Sequence, residues 1–141
     1  MKRPRDNEIT PLTGDGETMK VVLPLPNPVL SPNRPCGSAG GRMKRAAASR
    51  RYRKLAYQSA LAESLESTPW AKAEGKAVFF HKQDRRRDGP NYNAMLKAAI
   101  DGIVDAGIIT DDDYRSFSLL PPDFRIDKDF PRVEISLRRL D

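Results

Sequence analysis

Apolar and polar residues recur along this chain with the periods of regular secondary structure in six segments. Short, mainly apolar or alternating runs predict four strands, at residues 19–26, 76–83, 114–120 and 132–138. Two longer segments that permit helix throughout predict helices at residues 42–67 and 93–105. The order β, α, β, α, β, β predicts an α+β fold, in which two main helices pack on one face of a small mixed β-sheet.

The pattern also predicts which faces of these elements are buried. In the first helix, four-residue spacing places three apolar side chains on one face: Tyr57, Leu61 and Leu65. The second helix has an apolar face made of Met95, Leu96, Ala99, Ile100, Ile103 and Val104. Its opposite face carries Lys97, Asp101 and Asp105, and Gly107 suits the position just past the helix end. Residues 121–131 are predicted as a long loop.

The length and composition predict one domain with a tail. Residues 1–18 are polar, contain scattered Pro and Gly, and have no period, so we expect a disordered tail before a domain at 19–141. Hydrophobic residues make up 38% of the 141 residues, which is enough for a small core. A partner subunit would add to this burial, which favours a homodimer.

The net charge of the chain indicates which class of partner it binds. A net charge of +6 and a pI of about 9.7 suit a polyanion, either nucleic acid or an anionic membrane surface. No apolar run approaches the ~20 residues of a membrane span, and the first 20 residues have no apolar core typical of a secretory signal. The single Cys36 excludes an internal disulfide, and with His81 as the only histidine a Cys/His zinc site is excluded too. We therefore expect a cytoplasmic protein.

The most informative segment combines cations and acids. The run Arg85–Arg86–Arg87 abuts Asp88, Lys97 follows on the second helix, and Asp111, Asp112 and Asp113 close the unit. Such a mixture is typical of a site where cations hold a phosphodiester and acids hold a metal ion. Each residue also has a simpler interpretation: Asp88 as a loop or helix-terminal acid, the triplet as a polar turn, and Lys97 as an i, i+4 partner of Asp101.

The first helix adds a second basic run. Its first half carries only cations, namely Arg42, Lys44, Arg45, Arg50, Arg51, Arg53 and Lys54. Together with Arg85, Arg86 and Arg87, we expect Arg50, Arg51 and Arg53 to contact DNA phosphates rather than read bases. A charge run is more commonly only a solvated face. The aromatic residues near these runs, Tyr52, Tyr57 and Trp70, either pack in the core or stack on unpaired bases.

The ordered motif of "RRRD", an Asn, "KAAIDGIVDAG" and "DDD" resembles the RusA family of Holliday-junction resolvases. The resemblance covers roughly residues 19–140, and the "LPLP" end of the first strand with Ser31-Pro32-Asn33 also fits it. It implies a homodimeric, metal-dependent endodeoxyribonuclease that acts on four-way DNA junctions in recombination and repair. It further implies that Asp88 and Asp112 are catalytic metal ligands, that Lys97 assists at the phosphate, and that the metal is Mg²⁺, with Mn²⁺ possible and no small-molecule cofactor.

One position departs from the family pattern. The second catalytic acid, expected two residues after Asp88, is replaced by Pro90. Asn91 or Asn93 would offer a neutral oxygen instead, and Asp101, with Asp111 beside Asp112, would complete the carboxylate set. The alternatives are a catalytically impaired DNA-binding protein on the same scaffold, or a basic nucleic-acid-binding module.

Overall fold

The computed structural model describes residues 16–35, 37–64 and 69–141, and it confirms the predicted α+β fold. Five strands are present: β1 (Thr18–Leu23), β2 (Ala73–His81), β3 (Phe117–Leu119), β4 (Asp123–Ile126) and β5 (Arg132–Arg139). The α-helices are α1 (Ala39–Glu63), α2 (Gly89–Ala94) and α3 (Lys97–Asp105), and a 3₁₀ turn spans Pro28–Leu30. Among the described residues, no helix combines the length and apolarity needed to cross a membrane.

The strands form one mixed five-stranded sheet. Its order is β1, β5, β2, and then β3 and β4, which lie one after the other along the far edge of β2. Strand β5 is antiparallel to both of its neighbours, while β3 and β4 run parallel to β2. Ala73 pairs with Phe117 at the start of β2, and His81 pairs with Ile126 at its end. Strand β2 therefore pairs with β5 along one edge and with both β3 and β4 along its other edge.

The core lies between the helices and one face of the sheet. Alternate residues of β2 and β5 are buried on that face, including Phe79, Ile135 and Leu137, which have no exposed surface. Leu96 and Ile103 enter the core from the segment of α2 and α3, where the sequence predicted one helix over 93–105. The predicted apolar face of that region is confirmed, because five of its six residues are buried and Val104 packs against the cluster.

The buried stripe of α1 differs from the predicted one. The stripe consists of small residues and one ring: Ala48, Tyr52, Ala56 and Ala60. Tyr57 and Leu61 are exposed at 37% and 46%, and Leu65 lies outside the described residues. The reason is close packing, because an ideal Cβ on Gly102 of α3 would lie 2.2 Å from the Arg53 carbonyl oxygen. Small residues thus decide which side of α1 faces the core.

Three predicted boundaries are corrected. The helix predicted over 93–105 is two helices, because Asp88 caps α2 and Pro90 occupies its first turn, where proline needs no N–H partner. The break follows Ala94, where the Leu96 amide donates to the Asn93 carbonyl at 3.0 Å, a 3₁₀ contact.

The loop predicted at 121–131 contains β4, which gains its hydrogen bonds from β2. The tail predicted over 1–18 lies outside the described residues up to residue 15, and Thr18 already belongs to β1.

Candidate active site

Lys97 joins two carboxylates at the start of α3. Its Nζ atom lies 2.8 Å from Asp101 Oδ1, one helical turn along, and also contacts Asp112 Oδ2. Asp112 reaches this position because the chain reverses at Gly107, whose φ is +79°, and because Ile109 then bridges to Trp70. The structure therefore brings three of the predicted site residues together, Lys97, Asp101 and Asp112.

The three consecutive acids have different partners. Asp111 Oδ1 accepts a hydrogen bond from the Asp112 amide at 2.7 Å, which orients the backbone that presents Asp112. Asp113 Oδ1 accepts from the amides of Arg115 and Ser116 at 2.9 and 3.2 Å. Asp112 alone of the triplet has its carboxylate on the Lys97 ammonium within the described residues. The triplet is thus a structured turn that holds out one carboxylate.

The contact between Lys97 and Asp112 favours the charged form of both groups. The hydrogen bond from Lys97, together with its positive charge, lowers the pKa of Asp112. The hydrogen bonds to Asp101 and Asp112 raise the pKa of Lys97. The Lys97 ammonium therefore lies between two carboxylates. Carboxylate oxygens are also the ligands that Mg²⁺ prefers, together with water and substrate phosphates.

Asp88 has a separate position. It is exposed, and its Oδ1 atom accepts a hydrogen bond from the Asn91 amide at 3.2 Å as the N-cap of α2. In the part of the chain that the structure describes, no three Asp, Glu, His or Cys side chains converge to hold a metal ion. Asp88 therefore does not complete a carboxylate triad with Asp101 and Asp112 in this conformation.

The two asparagines considered as neutral ligands have structural partners. Asn91 Oδ1 accepts a hydrogen bond from the Ser31 hydroxyl at 3.2 Å, which ties α2 to the loop after β1. Asn93 Nδ2 donates to the Leu120 carbonyl at 2.9 Å, while its Oδ1 atom is buried without a hydrogen bond. Both amides fix the segment between Asp88 and Lys97.

Basic residues of α1 lie beside the Lys97 cluster. Arg50 and Arg53 line a pocket of about 230 Å³ together with Lys97 and Asp101. Arg53 also makes a two-pronged ion pair with Asp105, with Nε–Oδ2 and Nη2–Oδ1 distances of 2.6 and 2.9 Å. That hydrogen bond raises the pKa of Arg53. The Arg53 guanidinium is thus occupied by an ion pair between α1 and α3, whereas the Arg50 side chain is exposed at the pocket.

Some of the other predicted DNA-binding arginines bond within the protein, and others are exposed. Arg51 is exposed and lines a second pocket, of about 520 Å³, with Arg34. Arg87 is half-buried and donates to the Tyr92 hydroxyl at 2.8 Å and to the Gln83 carbonyl at 3.2 Å. Arg85 donates to the Gln83 side chain at 3.0 Å, and Arg86 is exposed. Arg50, Arg51 and Arg86 are therefore the best placed for an outside anion.

The aromatic residues near the basic runs differ in exposure. Tyr52 is buried, and its hydroxyl donates to the Pro24 carbonyl at 2.7 Å. Trp70 is also buried, at 6% exposure. Tyr57 is partly exposed and lines a pocket with Arg53 and Lys54. Of these three rings, Tyr57 alone lies within reach of an outside base.

A large cleft near α2 was not indicated by the sequence. It has a volume of about 950 Å³ and lies between residues 25–35 and the end of β2 with α2. Arg45 holds one wall in place, because it donates to the carbonyls of Val29, Ser31 and Arg34 at 2.9, 3.2 and 2.6 Å. The sequence analysis included Arg45 only as one cation of the basic run, because bonds to backbone carbonyls leave no periodic signal. A proline-rich segment beside a basic helix was the available hint.

His81, on the wall of this cleft, makes stability depend on pH. Burial, and then the charge of Arg87, lowers its pKa to about 4. An unfolded histidine has a pKa of about 6.5, so the unfolded chain takes up a proton first as the pH falls. Stability supplied by the neutral ring is therefore complete above pH 6.5 and is lost towards pH 4. Since the ring is only partly buried, we expect a loss of about 1 kcal/mol.

Chemical denaturation at pH 7 and pH 4.5 measures this loss. His81→Phe keeps an aromatic ring against Phe79 and Phe124, whose centroids lie 6.3 and 6.2 Å away. The substitution removes the only histidine of the chain and should reduce the difference in unfolding free energy between the two pH values. An equal difference in the two proteins would show that other groups cause the pH dependence.

A scan of the sequence against protein-family models gave no match, and a search of the curated proteins found none with a similar sequence.

Proposed function

We propose that this protein is a metal-dependent endodeoxyribonuclease of branched DNA, the activity that its resemblance to RusA resolvases implies. The observation that carries the proposal is the Lys97 ammonium between the carboxylates of Asp101 and Asp112, beside a pocket lined by Arg50. Cations at the pocket favour a phosphate, and paired carboxylates favour a divalent cation next to it. The net charge of +6 favours a polyanionic substrate.

The reaction is hydrolysis of a phosphodiester. Water attacks phosphorus, one P–O bond breaks, and the products are a phosphate monoester and an alcohol. Mg²⁺, or Mn²⁺, would be held by Asp112 and Asp101 and would supply Lewis-acid activation of water and compensation of charge on the leaving oxygen. Lys97 stabilises negative charge on the phosphate, and Asp111 holds the backbone of Asp112 in place.

Asp101 takes the role of the acid that Pro90 removes. Its carboxylate already shares Lys97 with Asp112, so it needs no rearrangement to act with that residue. Asp88 lies on the neighbouring segment as the cap of α2 and would join the metal only after leaving the Asn91 amide. The proposal therefore rests on Asp101 and Asp112 first, with Asp88 as an additional ligand.

The DNA path follows the exposed cations. Arg50 at the pocket, Arg51 on the next exposed surface of α1 and Arg86 after β2 would position the backbone without reading bases. A homodimer would present this path twice, matching the two-fold symmetry of a four-way junction. We place the protein in the cytoplasm, in recombination or repair.

Salt dependence of DNA binding tests this path. Arg50→Ala and Arg51→Ala should each reduce the slope of log affinity against log salt by about one unit, because each lost phosphate contact releases one counterion fewer. Fluorescence anisotropy with a labelled junction in EDTA gives the slope. Lys128→Ala, an exposed cation on the loop between β4 and β5, is the matched control and should leave the slope unchanged. Equal slopes for all variants would place α1 away from DNA.

A second candidate is a DNA-binding protein with an impaired metal site. Pro90 in place of an acid, and the use of Asp88 as a helix cap, favour it. An assay of a synthetic four-way junction with and without Mg²⁺ separates the candidates. Cleavage only with the divalent ion supports the endonuclease, and binding without cleavage supports the second candidate. Absence of both binding and cleavage would overturn the two together.

A further inference from the structure

The cleft of about 950 Å³ is lined by cations and apolar residues. None of the thirteen described residues that line it is acidic, and two of them, Arg34 and Arg87, are cations. Most of the remaining wall is apolar, with three prolines that give it a stiff surface. A mainly apolar cleft with a few fixed polar groups is typical of a site for an organic ligand.

Two aromatic rings form one side of the cleft. His81 and Tyr92 meet edge to face, with centroids 5.4 Å apart, and Phe79 and Phe124 pack behind them. Arg87 donates to the Tyr92 hydroxyl at 2.8 Å and therefore fixes the ring. Because the pKa of His81 is lowered to about 4, its ring is neutral at physiological pH. Neutral rings beside cations suit stacking of a nucleobase whose phosphate is held nearby.

Amide side chains supply the means to recognise a base edge. Asn33 is exposed at the cleft, and Asn91 reaches it from α2 with its Oδ1 atom already accepting from Ser31. The amide Nδ2 of Asn91 is a donor on the same side chain, and the exposed Asn33 amide carries both a donor and an acceptor. Asparagine can use that pair on a base edge.

The cleft and the pocket at the proposed active site share one lining residue. Met95 lines both the cleft and the pocket that contains Lys97 and Asp101. A DNA strand whose phosphate lies at Lys97 would therefore have a neighbouring nucleotide beside the cleft. A base inside a duplex cannot enter, because it is paired and stacked, whereas an unpaired one can.

We propose that this cleft binds one unpaired nucleotide of the DNA substrate, with its base against Tyr92 and His81 and its phosphate towards the exposed Arg34. The inference rests on the proposed function, since it takes its ligand from the branched DNA of that site. It adds a substrate requirement: DNA with a base free to leave the stack binds better than continuous duplex. Specificity for branched DNA then comes from available unpaired bases rather than from sequence.

Photo-crosslinking tests the location directly in the unmodified protein. The probes are a four-way junction with 5-iodouracil at the crossover and a single-stranded oligonucleotide with the same base, both in EDTA to prevent cleavage. Tryptic digestion gives a fragment of residues 88–97 that contains Tyr92 and Met95, and one of residues 77–82 that contains His81. We expect the crosslink on these fragments. Crosslinks confined to Tyr57, Tyr114 or Phe130, or none from bound DNA, would overturn the inference.

Binding of base-free DNA gives a second measurement. Wild-type protein should bind a short single strand about fivefold or more tightly than an abasic strand of equal length, because stacking of one base contributes about 1–3 kcal/mol. Tyr92→Leu and Asn33→Ala should each move this ratio towards one. Lys128→Ala should leave the affinity for both strands, and therefore the ratio, unchanged. Because Tyr92 packs on the core, thermal unfolding checks its variant, and exposed Asn33 serves if that variant does not fold.

The outcomes separate this inference from the proposed function. If the protein binds and cuts junctions but shows no base preference and crosslinks elsewhere, the proposed nuclease activity stands and the proposed nucleotide site is wrong. If it prefers base-bearing strands but never cuts, the nucleotide site stands and the nuclease activity is wrong. Failure to bind any DNA removes both.

Discussion

Asp112→Asn is expected to abolish cleavage of a four-way junction, with a rate loss of about a thousandfold or more, while junction binding stays equal or becomes tighter. The substituted amide keeps the shape of the side chain but loses the charge that Lys97 and a divalent cation need. Removing a negative charge also eases the approach of phosphate. Single-turnover cleavage in Mg²⁺ and anisotropy in EDTA measure the two effects independently.

The neighbouring acids provide matched controls. Asp113→Asn removes the same charge from a carboxylate that only accepts from the amides of Arg115 and Ser116, so the rate per folded molecule should change little. Asp101→Asn should lose activity far beyond its small effect on stability, since an exposed i, i+4 pair contributes only tenths of a kcal/mol. Wild-type rates in Asp112→Asn would remove that residue from the site.

Gly102→Ala should destabilise the fold by about 3 kcal/mol or more, a large share of the stability of a small domain. The added Cβ would lie 2.2 Å from the Arg53 carbonyl oxygen and 3.0 Å from both Ala56 Cβ and the Tyr57 amide nitrogen. These are backbone and short side-chain atoms that cannot turn away, so α1 and α3 must separate. Chemical denaturation gives the change in free energy, and failure to express in folded form agrees with it.

Gly40→Ala is the matched control for backbone effects. Gly40 lies in the first turn of α1, and no atom is within 4 Å of its ideal Cβ. The alanine should therefore be neutral or stabilise by up to about 1 kcal/mol through helix propensity. If Gly102→Ala were as stable as Gly40→Ala, the close contact between the two helices would be wrong.

Periodicity predicted the main elements because local burial determines them. Alternation at 76–83 corresponds to most of β2, and the apolar spacing at 93–105 corresponds to α2 and α3, where five of the six residues of the predicted apolar face are buried. Strand β4 was missed because four residues after two prolines have no signal of their own, and parallel pairing with β2 creates the strand. The buried face of α1 was misplaced because alanines that fit against Gly102 give little hydrophobic contrast.

The candidate site was predictable where it depends on spacing within one helix. Lys97 and Asp101 lie one turn apart, so their contact follows from the sequence. That Asp112 rather than Asp111 contacts Lys97 depends on the turn after Gly107, although the resemblance had singled out the same residue. The pairing of Arg53 with Asp105 and the cleft held by Arg45 depend on how distant segments pack, and no local pattern records that.

The position of β5 between β1 and β2 has a consequence for synthesis of the chain. Thr18 of the first strand pairs with Arg138, so a contact of very long sequence separation closes the sheet. When residue 126 has left the ribosome, all three helices and four strands are outside it. The inner strand Arg132–Arg139 has not yet emerged. Until it emerges, Val21 and Leu23 have no strand beside them, and the nascent protein exposes an apolar edge that chaperones can bind.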